Sequence, residues 1–471
     1  MKLPVSTLII LFLLMLVKNT SAQTDSSRYL SAAQLLQLVK QYHPVAKQAA
    51  LLPEKAKAER IIAQGEFDPV FQYKGGQKTF DGTGYYTYDR TGVTIPTWFG
   101  VDLSAGTEYL GGSRTDAEDT KGESSYLGIS VPLAKNLLMD KRRAALKTAR
   151  IMQQYAAAEQ NSLVNDLILE ALNSYWEWVA ANQLYDIATE MVTVSDKRLQ
   201  LVRIAVRQGD RPALDTTEAL AQLQSFQLLQ SQARNEFLQT GIGLSAYLWE
   251  QNGTPVLLPE DIKPAPEEQQ LTTNLVTWPD LNRLIETAKA NHPKLLELRF
   301  KLDALVVEKK LKFQELLPAV NLVYNQLGKG YDFLKTAQAP LFENNFRYGV
   351  TVGIPLRLSE GRGAYRKATL EIADTRLKQD QQIQNVELKI RSAHTELAAL
   401  QQQAEIQQRA VQNYRQLQRG EETRFTNGES SLFLVNAREN KTLEARQKLV
   451  EVKKKFFQSY NKLLWAAGQL R

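Results

Sequence analysis

Residues 143–208 read RAALKTARIMQQYAAAEQNSLVNDLILEALNSYWEWVAANQLYDIATEMVTVSDKRLQLVRIAVRQ, 66 residues without a glycine or a proline. Glycine costs a helix interior about 1 kcal/mol and proline about 3 kcal/mol, so nothing in this run stops a helix once it has begun. At 1.5 Å per residue it would extend about 100 Å, more than a compact globular domain accommodates. Leu184, Ile187, Met191, Val194, Leu201 and Ala205 recur at three- and four-residue spacing, with only Arg198 interrupting. That spacing predicts a coiled-coil seam along the distal half.

The run ends at Gly209, and Pro212 suits the first turn of a return helix that runs back toward Trp249. The same pattern occurs again. Residues 364–419 form a second run of 56 residues without glycine or proline, followed by a reversal at Asn427-Gly428. A return from Ser431 to Ala467 carries Leu449, Val452, Phe456 and Leu463 on one face. VRQGDRPALD (206–215) aligns with FTNGESSLFL (425–434) through Gly209 and Gly428, at an offset of 219.

Further anchors keep their order outward from the turns. LW at 248–249 returns at 464–465, and RRAALK from 142 returns as RGAYRK from 362. Pro132 in GISVPLAKNL matches Pro355 in VGIPLRLSEG at offset 223, and His43-Pro44 matches His292-Pro293 at offset 249, as Pro69 does Pro318. Ordered anchors along the whole chain indicate an internal duplication. The first copy carries 26 more residues between its two matched prolines, the difference of the offsets 249 and 223. A proline disfavours helical geometry in its predecessor, so His43 and His292 are predicted to mark breaks between helices rather than to bind metal.

Between the opening helices and the long ones lie strand-like segments. FRYGVTVGIPL (346–356) alternates Tyr348, Val350, Val352 and Ile354 against Gly349, Thr351 and Gly353. YLGISVPL (126–133) and TWFGVDLSAG (97–106) alternate in the same way. One apolar face opposite a small or polar one fits a half-buried strand of a soluble sandwich and equally a membrane barrel with lipid outside and water inside. Strands alone favour the commoner sandwich; the long helices that follow tip the balance to the barrel.

Composition sets the outer bounds. Of 471 residues 43% are apolar and 23% charged, a folded composition. The formal charge of +7 includes Lys2 and Lys18, and what remains is too diffuse to indicate nucleic acid. Residues 1–22 read as a signal peptide: Lys2, an apolar run Leu8–Val17, then Thr20-Ser21-Ala22. There is no cysteine, which excludes disulfides, thiolate catalysis and Cys-ligated zinc. Three histidines and no P-loop or nucleophile elbow leave no catalytic, cofactor or metal site to expect.

The paired ANHPKLLELR-type openings, the VPL and IPL strand ends, the RR or GRG that starts a long helix, and RQGD and TNGE at the turns carry a resemblance. Over about residues 30 to 470 the chain resembles the TolC-like outer-membrane efflux proteins. The resemblance implies a mainly α protein with membrane β structure: a duplicated strand–long helical hairpin repeat, in a homotrimer whose protomers each give four strands to one shared β-barrel. An α-helical coiled-coil tunnel would continue that barrel across the periplasm. The expected parts are a first repeat over 23–249 (strands about 68–133, hairpin about 140–249), a linker over 250–280 near the equatorial region, and a second repeat over 281–471 (strands about 318–356, hairpin about 362–467). The 26 extra residues leave open whether an additional hairpin joins the barrel or its outer rim, and the missing cysteine excludes the family's acylated anchor.

The function implied is a passive exit duct in the outer membrane of a Gram-negative bacterium, fed through a periplasmic adaptor by an inner-membrane RND or ABC transporter, with no enzyme activity. The turns would form the periplasmic entrance. Asp215 falls where the family places an acidic entrance residue, whereas Leu434 and Ala437 occupy the corresponding places of the second copy. Arg211 is a candidate partner for a nearby acid such as Glu429. Gly209, Asp210, Asn427 and Gly428 are the candidate adaptor-docking turns. Two other readings are a periplasmic coiled-coil adaptor and an exported polysaccharide- or metal-handling enzyme.

Overall fold

The computed structural model describes residues 29–113, 120–269 and 280–470; the predicted signal peptide and residues 270–279 of the linker lie outside them. The first half runs β1 (Tyr29–Leu30), α1 (Ala32–Tyr42), α2 (Pro44–Gly65), β2 (Val70–Phe80), β3 (Thr83–Pro96), β4 (Asp102–Gly111), β5 (Gly122–Pro132), α3 (Lys141–Gln208) and α4 (Ala213–Ser245). After β6 (Lys263–Pro264) and the short α5 (Pro266–Gln269) come α6 (Leu281–Asn291), α7 (Pro293–Gln314), β7 (Ala319–Lys329), α8 (Phe333–Gln338), β8 (Phe346–Gly353), α9 (Ser359–Thr426) and α10 (Leu432–Ala466). Two compact units result: residues 48–162 with 289–386, and residues up to 47 with 163–288 and from 387 onward.

The twin His-Pro signatures are one local device. His43 (φ −62°, ψ 134°) and His292 (φ −63°, ψ 127°) are extended residues between helices, each followed by proline at the start of the next. The Nδ1 atoms accept from the Val45 and Lys294 backbone N–H groups, each at 3.2 Å. An imidazole thereby supplies the acceptor that a helix N-terminus needs.

The first unit holds an antiparallel six-stranded sheet in the order β2-β3-β4-β5-β7-β8. The sheet thus holds two strands more than the four per protomer that the resemblance gives to a shared barrel. The extra residues supply two complete strands in register with the others. Directly opposed residues share a face, and the rows alternate sharply. Ile95, Leu103, Ile129, Tyr324 and Tyr348 form one row; Thr94, Ser104, Gly128, Asn325 and Arg347 form the next on the opposite face. Val93, Ala105, Leu127, Gln326 and Phe346 follow on the first face. Gly92 and Gly106 on the polar face leave room for the Tyr126 ring; a Cβ at Gly106 would lie 2.6 Å from its hydroxyl.

The segment 97–106 is not one strand as its alternation suggested. Thr97 and Val101 close a turn with reciprocal backbone and side-chain bonds of 2.5–3.2 Å, and Gly100 takes φ +91°. Arg143 holds this turn and the start of α3 together by donating to the Phe99, Asn136 and Leu137 carbonyls and to Asp140. Arg142 reaches Asp102 at 2.8 Å. The RR motif thus fastens a strand-to-helix junction, because a guanidinium carries enough fixed donors to satisfy several carbonyls at once.

Both α3 and α9 are 68 residues long. The second exceeds its glycine-free run because Gly361, Gly363 and Gly420 lie inside it. A few glycines cost little against so many good helix formers. In the second unit Tyr175 and Trp178 are buried, Trp176 stacks on Phe457 at 4.2 Å, and Trp178 stacks on Phe237 at 6.0 Å. Leu449, Val452, Phe456 and Leu463 are buried as their spacing predicted. The seam of α3 needs correction: Ile187 and Met191 are buried, but Leu201 is 67% exposed, and the buried stripe continues through Ser195, Leu199 and Val202.

Candidate entrance at the helical turns

Both helical reversals lie in the second unit and have the same backbone. Gly209 (φ +82°) donates to the Val206 carbonyl, and Asp210 to that of Ala205. Gly428 (φ +80°) donates to Phe425, and Glu429 to Arg424. This is the left-handed glycine stop in which two N–H groups satisfy the last helical carbonyls. Pro212 is the N-cap of α4, one residue before its expected place, and Ser431 is that of α10.

Below the turns four helices pack around Leu199, Val202, Ala219, Leu223 and Leu432, with Val206 and Phe425 against them. Arg211 bridges the two turns. Its Nη2 donates to the Phe425 carbonyl at 2.6 Å, Nη1 to that of Ser430 at 3.5 Å, and its guanidinium lies 3.9 Å from the Phe425 ring centroid. The acid beside Arg211 is Asp215, at 4.0 Å. This replaces the suggested pairing with Glu429, which is exposed together with Gly209, Asp210, Asn427 and Gly428. Arg211 lies just before the N-cap of α4 and Asp215 in its first turn, within reach of one another, whereas Glu429 belongs to the tip.

Polar bonds between α3 or α4 and the second hairpin continue away from the tip. Arg198 makes a two-pronged pair with Glu439 at 2.6 and 2.9 Å and lies 3.5 Å from Glu422. Gln222 donates to Asn440 at 2.9 Å and Asn436 to Glu218 at 3.2 Å. Glu421, buried, accepts from Ser430 and has Arg424 and Arg438 at 3.8 Å. The Arg198–Glu439 pair was not singled out from sequence, although its signal was there as the one charge in the apolar seam. Leu201, Leu214 and Phe433 remain exposed on the same stretch. Among the described residues no cluster of acidic or histidine side chains could hold a metal ion, and no helix is long and apolar enough to cross a membrane.

The family model for outer membrane efflux proteins matches residues 99–248 and 284–469. Several solved channels have similar folds. The CmeC outer membrane channel of Campylobacter jejuni is 14% identical with a TM-score of 0.65, covering 93% of this chain and 85% of that one. The open-state MtrE outer membrane channel of Neisseria gonorrhoeae is 12% identical with a TM-score of 0.66, covering 93% and 89%. The outer membrane protein VceC of Vibrio cholerae is 15% identical with a TM-score of 0.63, covering 93% and 96%. No curated protein matches the sequence.

Proposed function

The chain belongs to the outer membrane efflux protein family and is an outer-membrane efflux channel that extends into the periplasm, and from that premise we propose that three copies form the passive exit duct of a tripartite efflux or type I secretion system. The copies share one β-barrel, and their long helices continue it as a tunnel. Cargo enters from an inner-membrane RND or ABC transporter through a periplasmic adaptor.

The observation that carries this reading is a two-faced sheet with two free edges, joined at one end to two 68-residue helices. Lipid cannot satisfy the backbone groups of an open edge, so closure falls to further copies. Leu201, Leu214 and Phe433, exposed in one protomer, become contact surface in the assembled tunnel. The adaptor docks at the turns around Gly209, Asp210, Asn427 and Gly428. Fractionation tests the whole: heat-modifiable trimers in the outer membrane support it, and a soluble periplasmic monomer sinks it.

Asp215 is the proposed entrance acid, one per copy, with Arg211 beside it as a brace between the turns and Glu429 at the tip. A ring of carboxylates attracts cations. Asp215→Ala should raise single-channel conductance in planar bilayers and weaken block by multivalent cations. The same conductance and block as wild type would remove Asp215 from the gate.

A further inference from the structure

We infer that each copy contributes all six strands to the shared barrel, so that three copies close eighteen strands rather than the twelve that four per copy would give, with β8 of one copy pairing with β2 of the next. This rests on the trimeric reading above and specifies its outer-membrane part.

The level of the extra strands carries the inference. The connections to α2, α3, α7 and α9 all lie at one end of the sheet: β2 and β7 begin there, and β5 and β8 end there, while the short α8 joins β7 to β8 at the other. At that end Pro96 opposes Asp102, Asp102 opposes Ser130, Ser130 opposes Val323 and Val323 opposes Gly349. At that end β3 and β4 stop two residues inside the end of β5 and four inside the ends of β7 and β8, a stepwise stagger of the kind a closed barrel requires, so the extra hairpin runs alongside its neighbours. A hairpin added to an outer rim would instead begin beyond the far ends of its neighbours. With 14 and 10 residues, β3 and β4 reach or exceed the length a barrel strand needs to cross the hydrocarbon layer.

Side-chain chemistry agrees independently. In β3 and β4, Ile95, Val93, Leu103 and Ala105 continue the apolar face of β5, β7 and β8, while Arg90 and Glu108 pair at 2.9 Å on the polar face. Lipid-facing and lumen-facing residues must alternate in this way along a membrane strand. Trp98, 78% exposed, and Phe99 sit in the β3–β4 turn at the helix end, where aromatic rings favour the membrane–water boundary.

The free edges fit a second copy. Six strands that alternate in direction leave β2 running away from the helices and β8 running back toward them. The β8 edge of one copy and the β2 edge of an identical neighbour are therefore antiparallel with apolar faces on the same side. Tyr73 on β2 and Tyr348, Val350 and Val352 on β8, all exposed, lie on that face. Barrel diameter grows roughly linearly with strand number, so eighteen strands make a bore about half again as wide as twelve, in the range that leaves an aqueous channel.

Strand counting in a single-particle map of the purified full-length protein is the direct test. Eighteen strands in a trimeric barrel support the inference. Twelve strands in a trimer overturn it and leave the proposed duct standing, whereas particles without a shared barrel overturn both. The native chain has no cysteine, so Leu103→Cys and Ser104→Cys can each carry one fluorophore without background in phosphatidylcholine vesicles. Brominated acyl chains should quench the Leu103→Cys probe several-fold more than the Ser104→Cys probe, and aqueous iodide the reverse. Equal quenching of both by iodide places the hairpin outside the membrane and refutes the inference.

Discussion

Arg198 and Glu439 meet at a depth where the carboxylate is wholly buried and the guanidinium 12% exposed. Removing one partner of such a pair leaves a charge without its counterion and costs about 3–5 kcal/mol, while replacing both with apolar groups of similar volume is often neutral. Arg198→Met, which strands the buried Glu439 carboxylate, should therefore lower the thermal unfolding midpoint clearly, and Arg198→Met with Glu439→Leu should recover most of the loss. Circular dichroism melts of the single and double variants decide this; equal losses that simply add would refute the coupling. His43 is a second residue whose environment sets a measurable property. Burial holds its imidazole below the usual histidine value, against weaker opposing effects from the Ala246 backbone and Glu170, and it stacks at 6.0 Å on Tyr247. A depressed native value means that the neutral ring stabilises the fold above the unfolded value of about 6.5 and that this contribution is lost as pH falls through the lower native value. His43→Asn should flatten the acid limb of stability measured from about pH 8 to 5; an unchanged slope would assign that limb to other groups.

At the scale of elements, the helical hairpins depend on a glycine in left-handed geometry at each tip. Nothing lies within 4 Å of a Cβ built on Gly209 or Gly428, so a substitution costs backbone strain alone, about 1–2 kcal/mol for an ordinary side chain. Asparagine visits this conformation readily and valine does not. Stability should fall from glycine through asparagine to valine at both sites, and the paired valine variant should lose adaptor crosslinking while trimers persist. Crosslinking that survives would move the docking point away from the turns. The strands illustrate a limit of pattern reading: TWFGVDLSAG alternates throughout, yet Thr97–Val101 is a turn, because the side-chain bonds of Thr97 and the left-handed Gly100 override local alternation. The second long helix was longer than its glycine-free run for the converse reason, since isolated glycines do not end a helix that its neighbours sustain.

At the scale of the molecule, the linker is tied back to the beginning of the described chain. Strands β1 and β6 pair in parallel, and the Tyr175 hydroxyl bonds both the Leu30 carbonyl and Glu268, whose carboxylate also accepts from the Ala32 N–H at 3.2 Å. Burial raises the proton affinity of Glu268 above that of an ordinary glutamate. None of these partners is adjacent in sequence, and no spacing rule announces them. Glycine-free runs, left-handed glycines, His-Pro breaks and period-two alternation are properties of a few neighbouring residues; they determined the long helices, their reversal points, the helix breaks and the two faces of the strands. Which residues oppose one another could be decided only by the folded chain. Arg211 therefore meets Asp215 rather than Glu429, Leu201 leaves the buried seam, and β3 and β4 line up with the rest of the sheet. Periodicity fixes the direction in which a side chain points, but what it meets depends on the register of segments far away in the chain, and that register is set by packing.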